Sequence, residues 1–403
     1  MWKGLIVKMG NIVLLDDLTI NKIAAGEVIE RPASVVKELM ENSIDAGATN
    51  VTVEIKNGGI TYIRITDNGK GILPDDMEIA FERHATSKIR SAKDLETVKS
   101  MGFRGEALAS IAAIAHVELT SRTADSELGY KIVVEGGNII TKEVVGCPKG
   151  TTIIVENLFY NTPARLKHLK SLYTELACIN EYINKLALSH PNIRFSLYNN
   201  DNNILKTDGS NNLLKTISSI YGIDVVKKMI TVSASDDDYT INGFISLPEV
   251  HRSSRNHMIT IVNGRVVRNT ELNRIINDSY HSYKPDNRYP IVVLNITLDP
   301  SLVDVNIHPT KMDIKFGKFE ELTNLVSKMI RNAIINKNLI PEVSLEEEYV
   351  PKVSIFDTVN PYKKKEESKE LVTGVVEKPK YEEMTLNLER VKEDEDKYEK
   401  VVR

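Results

Sequence analysis

The chain has 403 residues, of which 41% are hydrophobic and 27% are charged, and its formal net charge is −4. This length suits two ordinary domains, and the composition is that of a soluble globular protein. No apolar run approaches the roughly 20 residues that a membrane span needs, and the run after Met1 is too short for a secretory signal. We therefore expect a cytoplasmic protein that does not bind membranes.

The beginning of the chain and its cysteines carry little functional signal. Met9 is a second plausible start, so the residues before it are predicted to be dispensable for activity. Cys147 and Cys178 lack the spacing of metal ligands. We expect both thiols to be reduced and structural.

The first region, to about residue 208, mixes helical and strand patterns. Helices are predicted at 21–25 and 32–43, and Pro32 suits the first turn of the second one. Two alternating strands flank Asn57-Gly58-Gly59, a strong hairpin signal, so the helix that begins at Pro32 should pack on a sheet. The strands are predicted at 51–55, 62–66, 117–121, 131–135 and 152–156, and a long helix at 165–188, ended by Pro191.

The second region, 209–336, is predicted to be a compact α+β unit with a turn at Asn263-Gly264. Its helices are predicted at 213–221, 270–279 and 319–336, and its strands at 239–246, 257–262 and 291–298. Beyond it, residues 341–403 carry 12 Lys and Arg against 17 Asp and Glu, with four prolines. This composition predicts a disordered tail, either the linker of a longer protein or a free regulatory segment.

Two polar residues share one face of the helix that begins at Pro32. Glu38 and Asn42 are four positions apart, which is about one helical turn. Glu38 could activate a water for attack on a terminal phosphate, and Asn42 could complete the shell of Mg²⁺. Taken alone, the pair is also what a solvated helix face provides by chance.

Two glycine-containing segments follow this pair. Asp67 ends a predicted strand, and Gly69 and Gly71 would let the backbone approach a flat ligand while the carboxylate accepts from an exocyclic amine. The loop at 102–105 runs into a predicted helix at 106–115 and would aim backbone amides at phosphates. A surface turn and a plain helix cap are the alternatives, but the order of acid, amide and glycine loops suggests a nucleotide pocket with its own hydrolytic base.

Several motifs in combination point to one family. They include Ile23-Ala24-Ala25-Gly26-Glu27-Val28 and Arg83-His84-Ala85-Thr86-Ser87-Lys88. The others are at 31–34, 38–47, 67–71, 102–108, 150–152, 158–165, 262–265 and 304–311. Together these segments, spread from about residue 9 to 336, resemble the MutL family of DNA mismatch repair proteins.

The resemblance implies an α+β fold in three parts. Residues 1–208 would form a two-layer sandwich of the Bergerat ATPase type, as in gyrase, the Hsp90 chaperones and histidine kinases. Residues 209–336 would form a smaller transducer domain, similar to the second domain of ribosomal protein S5, that carries an active-site lysine. Residues 337–403 would be a disordered, charged linker or tail.

The resemblance also implies a role for each matching residue in the binding of ATP and Mg²⁺. Glu38 would be the general base, Asn42 would hold Mg²⁺, and Asp67, supported by Thr151, would bind the adenine amino group beside Gly69 and Gly71. Lys311 would reach the γ-phosphate from the second region, although a solvated lysine is the alternative. The ATP lid would consist of Ala85, Thr86, Ser87, Lys88, Gly102, Phe103, Arg104, Gly105, Glu106, Ala107 and Leu108.

The family's cycle implies slow Mg²⁺-dependent ATP hydrolysis that drives formation of a homodimer and coupling to repair partners. Those partners would be the mismatch-recognition protein MutS, a downstream nuclease or helicase, and DNA. Residues 251–288 carry seven Lys and Arg against three Asp and Glu, so Arg265 and Arg268 are predicted to contact DNA without sequence preference and with strong salt dependence. A solvated basic face explains the same charges equally well.

Other classes share parts of this pattern. A type II topoisomerase ATPase subunit would need a DNA-cleavage partner, and a phosphotransfer kinase would need a donor histidine, for which His168 and His190 lack a matching module. A non-hydrolytic, ATP-gated scaffold fits every motif. Endonuclease activity is not expected from this chain, which stops before the C-terminal dimerisation and nicking domain of full MutL proteins.

Overall fold

The computed structural model describes residues 17–89, 105–304 and 315–339. The helices are α1 (Asp17–Val28), α2 (Pro32–Asp45), α3 (Asp76–Ile79), α4 (Ala107–Ile114), α5 (Pro163–His168), α6 (Leu172–Ser189), α7 (Leu213–Tyr221), α8 (Ile223–Val226), α9 (Thr270–Ser279) and α10 (Phe319–Leu339). None of the helices in these ranges is both long and apolar enough to cross a membrane.

Strands make up the rest of the regular structure. They are β1 (Asn50–Lys56), β2 (Tyr62–Asp67), β3 (His116–Arg122), β4 (Gly129–Glu135), β5 (Asn138–Val145), β6 (Gly150–Glu156), β7 (Arg194–Asn199), β8 (Asn202–Lys206), β9 (Met229–Ser235), β10 (Tyr239–Ser246), β11 (His251–Arg252), β12 (Met258–Val262), β13 (Arg265–Val267), β14 (Tyr289–Pro290), β15 (Val292–Leu298), β16 (Val303–Asp304) and β17 (Lys315–Phe316). Most of them belong to two large sheets.

The first sheet has eight strands in the order β5-β4-β3-β6-β2-β1-β7-β8. Neighbouring strands are antiparallel except β1 and β7, which are parallel. Strand β2 buries Ile63, Ile65 and then Asp67, since alternate side chains of a strand point to one face. The alternation of the strand therefore turns the Asp67 carboxylate towards the helices that cover the sheet.

Helix α2 packs on β1 and β2 with one face. Its buried residues recur at the spacing of an amphipathic helix, and they are Pro32, Val35, Val36, Leu39, Met40 and Ser43. Glu38 and Asn42 lie beside this face and are partly exposed. The prediction that the helix of Glu38 packs against a sheet is confirmed.

The second sheet has five strands in the order β13-β12-β15-β10-β9, with β12 and β15 parallel. All five residues of β12 are buried because both faces of the sheet are covered. Helices α9 and α10 cover one face, and α7 with the end of α6 covers the other. The mixed α+β fold predicted from the sequence is therefore confirmed.

Most predicted elements are present, but the single long helix at 165–188 is wrong. The chain instead forms α5 and α6, separated by Leu169, Lys170 and Ser171. The Ser171 hydroxyl accepts from the amide of Thr174 and caps α6, and the Lys170 amide donates to the Glu175 carboxylate. Local hydrogen bonds thus favour a new helix start over a continuous helix.

The predicted domain boundary and the predicted tail stay predictions. The boundary at 208/209 falls between β8 and α7, where Asp208 accepts hydrogen bonds from Ser210. The predicted tail at 337–403 lies outside the described residues except for the last turn of α10. Met9 also lies outside the described residues. Cys147 and Cys178 are free thiols of intermediate burial, and their structural role stays a prediction.

Candidate nucleotide-binding site

The Asp67 carboxylate lies where β2 ends beneath α2, and only 9% of the residue is exposed. The Ser43 hydroxyl donates to Oδ2 at 2.8 Å, and the Gly69 amide donates to Oδ1 at 2.8 Å. The Thr151 amide also donates to Oδ1, at 3.3 Å. These donors fix the carboxylate from the helix, the following loop and the neighbouring strand.

Sheet register brings Thr151 and Ser121 to the same place. Thr151 of β6 pairs with Asp67 on one side and with Ser121 of β3 on the other. The two hydroxyls are 3.0 Å apart, and the Ser121 hydroxyl also accepts from the Ile72 amide at 2.9 Å. Asp67, Thr151 and Ser121 therefore form a polar row across the inner face of an otherwise apolar sheet.

Burial raises the pKa of the Asp67 carboxyl above its ordinary value. The hydrogen bonds from Gly69, Ser43 and Thr151 oppose this shift because they favour the charged form. A buried carboxylate with fixed donors is a typical feature of a binding site.

Gly71 lets the backbone beside this polar row pass close to the backbone of Arg122. Its φ is +79°, and a Cβ at this position would stand 2.3 Å from the Arg122 carbonyl oxygen. Only glycine satisfies both conditions without a shift of the backbone. Gly69 donates its amide to Asp67, and a Cβ at this position would stand 2.9 Å from the Cβ of Ala46, so the close packing under α2 also favours glycine here.

The last turns of α2 hold a cation. The Lys88 ammonium donates to Asn42 Oδ1 at 2.9 Å and lies 2.6 Å from Asp45 Oδ2. Carboxamide and carboxylate oxygens are the ligands that Mg²⁺ prefers, and the ammonium stands in for a bound cation among them. The residues present therefore fit Mg²⁺.

Glu38 lies one turn before Asn42 on α2. Its Oε1 is 3.5 Å from the Lys37 ammonium, and about a quarter of its side chain is exposed. The Glu38 carboxylate is thus open to solvent and to a substrate beside the cation-holding oxygens.

Two segments predicted to form the lid meet at Ala85 and Gly105. Gly105 has a φ of +63°, and a Cβ there would stand 2.3 Å from the Ala85 carbonyl oxygen. His84 Nδ1 lies 3.3 Å from Glu106 Oε1, and the Thr86 hydroxyl accepts from the Lys88 amide at 3.2 Å. Ala107 and Leu108 open α4, and Ser87 is exposed.

The other predicted site residues fall into two groups. Gly102, Phe103, Arg104 and Lys311 lie outside the described residues. Arg265 lies on β13, and Arg268 just after it borders a groove of about 760 Å³ between α6 and α9. The predicted DNA contacts therefore belong to the second sheet, away from β2.

Sequence reasoning missed three residues of the site. Ser43 is a polar residue at the end of the apolar stripe of α2, and Ser121 takes the inward position after Val117 and Leu119 on β3. A polar residue where the pattern calls for an apolar one was the available signal. Asp45 carried no such signal, because its role depends on the position of Lys88.

Comparison with protein families gives two matches along the chain. A family model described as "Histidine kinase-, DNA gyrase B-, and HSP90-like ATPase" matches residues 29–143. A second, described as "DNA mismatch repair protein, C-terminal domain", matches residues 217–335. The first match includes Glu38, Asn42 and Asp67, and the second includes Arg265 and Arg268.

Individual relatives agree with these matches. The DNA mismatch repair protein MutL of Geobacillus sp. (strain WCH70) is 50% identical over 344 residues, which are 85% of this chain and 55% of the relative. That of Anoxybacillus flavithermus is 49% identical over 336 residues, 83% of this chain and 55% of the relative. The chain thus spans about half the length of the curated relatives it matches.

Solved structures show the same likeness. The ATPase domain of Aquifex aeolicus MutL, complexed with ADP, is 30% identical with a TM-score of 0.56, and the match covers 75% of this chain and 98% of that one. The N-terminal domain of a DNA repair protein is 28% identical with a TM-score of 0.69, covering 79% and 99%.

Proposed function

The chain belongs to the MutL family of DNA mismatch repair proteins, and from that premise we propose that it binds Mg²⁺·ATP around Asp67 and hydrolyses it slowly. The family model of the gyrase, Hsp90 and histidine kinase type of ATPase supports this proposal, because its match at 29–143 includes α2 and the strands β1 to β4 of the first sheet. The observation that carries the proposal is the Asp67 carboxylate, fixed by three hydrogen bonds under the helix of Glu38 and Asn42.

Asp67 would recognise the adenine amino group. A carboxylate has about four acceptor positions, and Ser43, Gly69 and Thr151 use three of those on Asp67. The remaining position, on a residue that is not fully buried, suits the exocyclic amine of a base that slides between Gly69, Gly71 and α2. The Ser121 and Thr151 hydroxyls would support this end of the pocket.

Glu38 and Asn42 would act at the phosphate end. Glu38 would orient and deprotonate the attacking water, since its carboxylate is partly exposed and one turn from the cation-holding oxygens. Asn42 would hold Mg²⁺, which when bound offsets the charge of the phosphates. Lys311 would add a second cation at the γ-phosphate, and the two lid segments, 85–88 and 102–108, would enclose the nucleotide.

The wider role follows from the family. Nucleotide binding would close the lid, bring two chains together as a homodimer, and present an altered surface to MutS and to a downstream nuclease or helicase. Arg265 and Arg268 would contact the DNA backbone. A repair protein of this kind would work in the bacterial cytosol at the nucleoid.

Family membership disfavours the topoisomerase and kinase alternatives, and the scaffold alternative differs from an ATPase by turnover alone. We therefore test Mg²⁺-dependent ATP hydrolysis and nucleotide binding in parallel, for the chain and for Glu38→Ala. Loss of a general base should lower turnover at least about a hundredfold while binding persists. Glu54→Ala, which removes an exposed carboxylate on β1, is the matched control and should behave as the unchanged chain.

Two results would contradict the proposal. Equal turnover of the chain and Glu38→Ala would make Glu38 structural. Nucleotide binding with no hydrolysis by the unchanged chain would identify the scaffold instead.

A further inference from the structure

Among the residues that the structure describes, Lys88 forms an ion pair that joins the segment after His84 to the last turns of α2. Its ammonium lies between Asn42 Oδ1 and Asp45 Oδ2, at 2.9 and 2.6 Å. The Lys88 side chain is 20% exposed and that of Asp45 is 12% exposed, so water screens this pair less than an ordinary surface pair. The position is therefore a partly buried cation site.

We propose that Lys88 is the resident cation of the nucleotide-free chain, and that Mg²⁺ replaces it between Asn42 and Asp45 when Mg²⁺·nucleotide binds. The proposal rests on the proposed role of Asn42 as a metal ligand, and it adds Asp45 as a second residue of the metal position. An ammonium and a divalent cation cannot share Asn42 Oδ1, because like charges a few ångströms apart repel strongly.

Replacement of Lys88 by a metal ion would also affect the lid segment that contains Lys88. Lys88 follows a short turn in which its own amide donates to the Thr86 hydroxyl, and Ala85 before it lies against Gly105 at the start of α4. Displacement of the ammonium therefore releases the segment at 85–88 from α2 at the point where it joins the second lid segment. By reciprocity, whatever holds Lys88 away from α2 strengthens metal binding.

The same exchange explains why a lysine occupies this position. An ammonium is a compact charge on a flexible stem, so it can fill the site and withdraw without a change in the backbone of α2. Before nucleotide arrives, the Lys88 ammonium pairs with the Asp45 carboxylate and donates to the Asn42 carbonyl oxygen. Lys88 thus keeps these oxygens paired and lowers their affinity for free metal ions.

The test measures binding of Mn²⁺, a paramagnetic substitute for Mg²⁺, to the nucleotide-free chain by the loss of the free-ion resonance signal. Lys88→Met should raise Mn²⁺ affinity at least about tenfold, because the competing charge is gone. Adding Asp45→Asn to that variant should remove the gain. Lys88→Arg, which keeps the charge, and Lys142→Met, which frees only the surface carboxylate of Glu78, should bind Mn²⁺ as the unchanged chain does.

A second measurement uses the unchanged chain and so does not depend on the folding of a variant. Saturation with Mn²⁺ should increase the rate at which Lys88 is acetylated, read by mass spectrometry, and leave Lys142 unaffected. An unchanged rate at Lys88 under saturation would overturn the exchange.

The two proposals fail in different ways. If Lys88→Met leaves Mn²⁺ affinity unchanged while Asn42→Ala abolishes the strengthening of ADP binding by Mg²⁺, the exchange is wrong and Asn42 remains a metal ligand. If neither variant alters metal binding or its coupling to ADP, the metal position is wrong as well.

Discussion

The carboxylate of Asp67 is a charged group on the buried face of a strand. Burial raises its pKa, and the three donors around it only partly offset that effect. Because the folded pKa exceeds the unfolded one, the folded chain binds this proton more tightly, and stability falls as pH rises through the interval between the two values. The ionised form of Asp67 therefore reduces the stability of the fold, which is the behaviour of a binding residue.

We predict that Asp67→Asn abolishes nucleotide binding without destabilising the fold. An amide oxygen can still accept from the Gly69 and Thr151 amides, and the Ser43 hydroxyl can rotate to accept from the amide nitrogen. ADP affinity, measured by calorimetry, should fall at least about a hundredfold, since the amide would oppose the adenine amino group. The free energy of unfolding at pH 7 should stay equal or rise.

Urea unfolding between pH 4 and pH 8 checks the electrostatic part of this prediction. The stability of the unchanged chain relative to Asp67→Asn should improve as pH falls, because the unchanged chain regains its proton. Asp201→Asn, in an exposed turn, should show no such trend relative to the unchanged chain. A relative stability that worsens towards acid would contradict the cause assigned to the pKa.

Helix α2 is held just before its first turn by a half-buried ion pair. Arg31 Nε and Nη2 donate to the two carboxylate oxygens of Glu175 on α6, at 3.0 and 2.9 Å, and Glu175 is 1% exposed. The hydrogen bond to Glu175 raises the pKa of Arg31, as expected for a charge-assisted, bidentate contact. The helix that carries Glu38 and Asn42 is thus tied to α6 in a fixed orientation.

Breaking this pair should cost far more than breaking a surface pair. Arg31→Met would leave the Glu175 carboxylate buried without its cation, and we expect the free energy of unfolding to fall by about 3 kcal/mol. Combining it with Glu175→Leu should recover part of the loss, since no buried charge remains. Lys228→Met, which breaks the exposed pair with Glu249, should cost about 0.5 kcal/mol or less. Urea unfolding measures all four chains, and equal losses for the two single variants would contradict the argument.

Helices and strands whose side chains follow a regular hydrophobic period were predictable from the sequence. Strand β2 and helix α2 follow the periods of two and 3.6, and these periods also place Asp67, Glu38 and Asn42. Strand β5 was not predicted because it is an edge strand with almost every residue exposed, so it lacks alternation. The break before α6 was missed although its hydrogen bonds are local, because the Glu175 carboxylate that accepts from the Lys170 amide is itself fixed by Arg31, 144 positions away.

The candidate site was also predictable only in part from the sequence. Asp67 and the pair on α2 were identified from the sequence and from the family resemblance. The contacts of Lys88 with Asn42 and Asp45 join positions more than forty residues apart, and the link from Ser121 to Thr151 depends on strand register. No local pattern contains such information.

On the scale of the whole molecule, charge argues for modest DNA affinity. The formal net charge is −4, and the groove that Arg268 borders also contains Glu181, Glu271 and Asp278. Its other cations are already engaged: Lys185 pairs with Glu181, Arg274 lies 3.9 Å from Glu271, and Arg255 stacks over Tyr289. Within the part of the chain that the structure describes, Arg268 is exposed and makes no ion pair or hydrogen bond, so it is available to a phosphate.

We predict that Arg268→Ala weakens the binding of duplex DNA about equally for all sequences and reduces the slope of log affinity against log salt by about one. The slope counts the counterions that a protein releases, so the loss of one phosphate contact lowers it by that amount. Fluorescence anisotropy with duplexes of unrelated sequence, at several salt concentrations and with Mg²⁺·ADP present, measures both quantities. Lys142→Ala, on the edge of the first sheet, is the control and should keep the original slope. A net charge of −4 gives the chain no overall attraction for DNA, so binding depends on such local contacts. An affinity that salt does not change would exclude a phosphate-binding role for this surface.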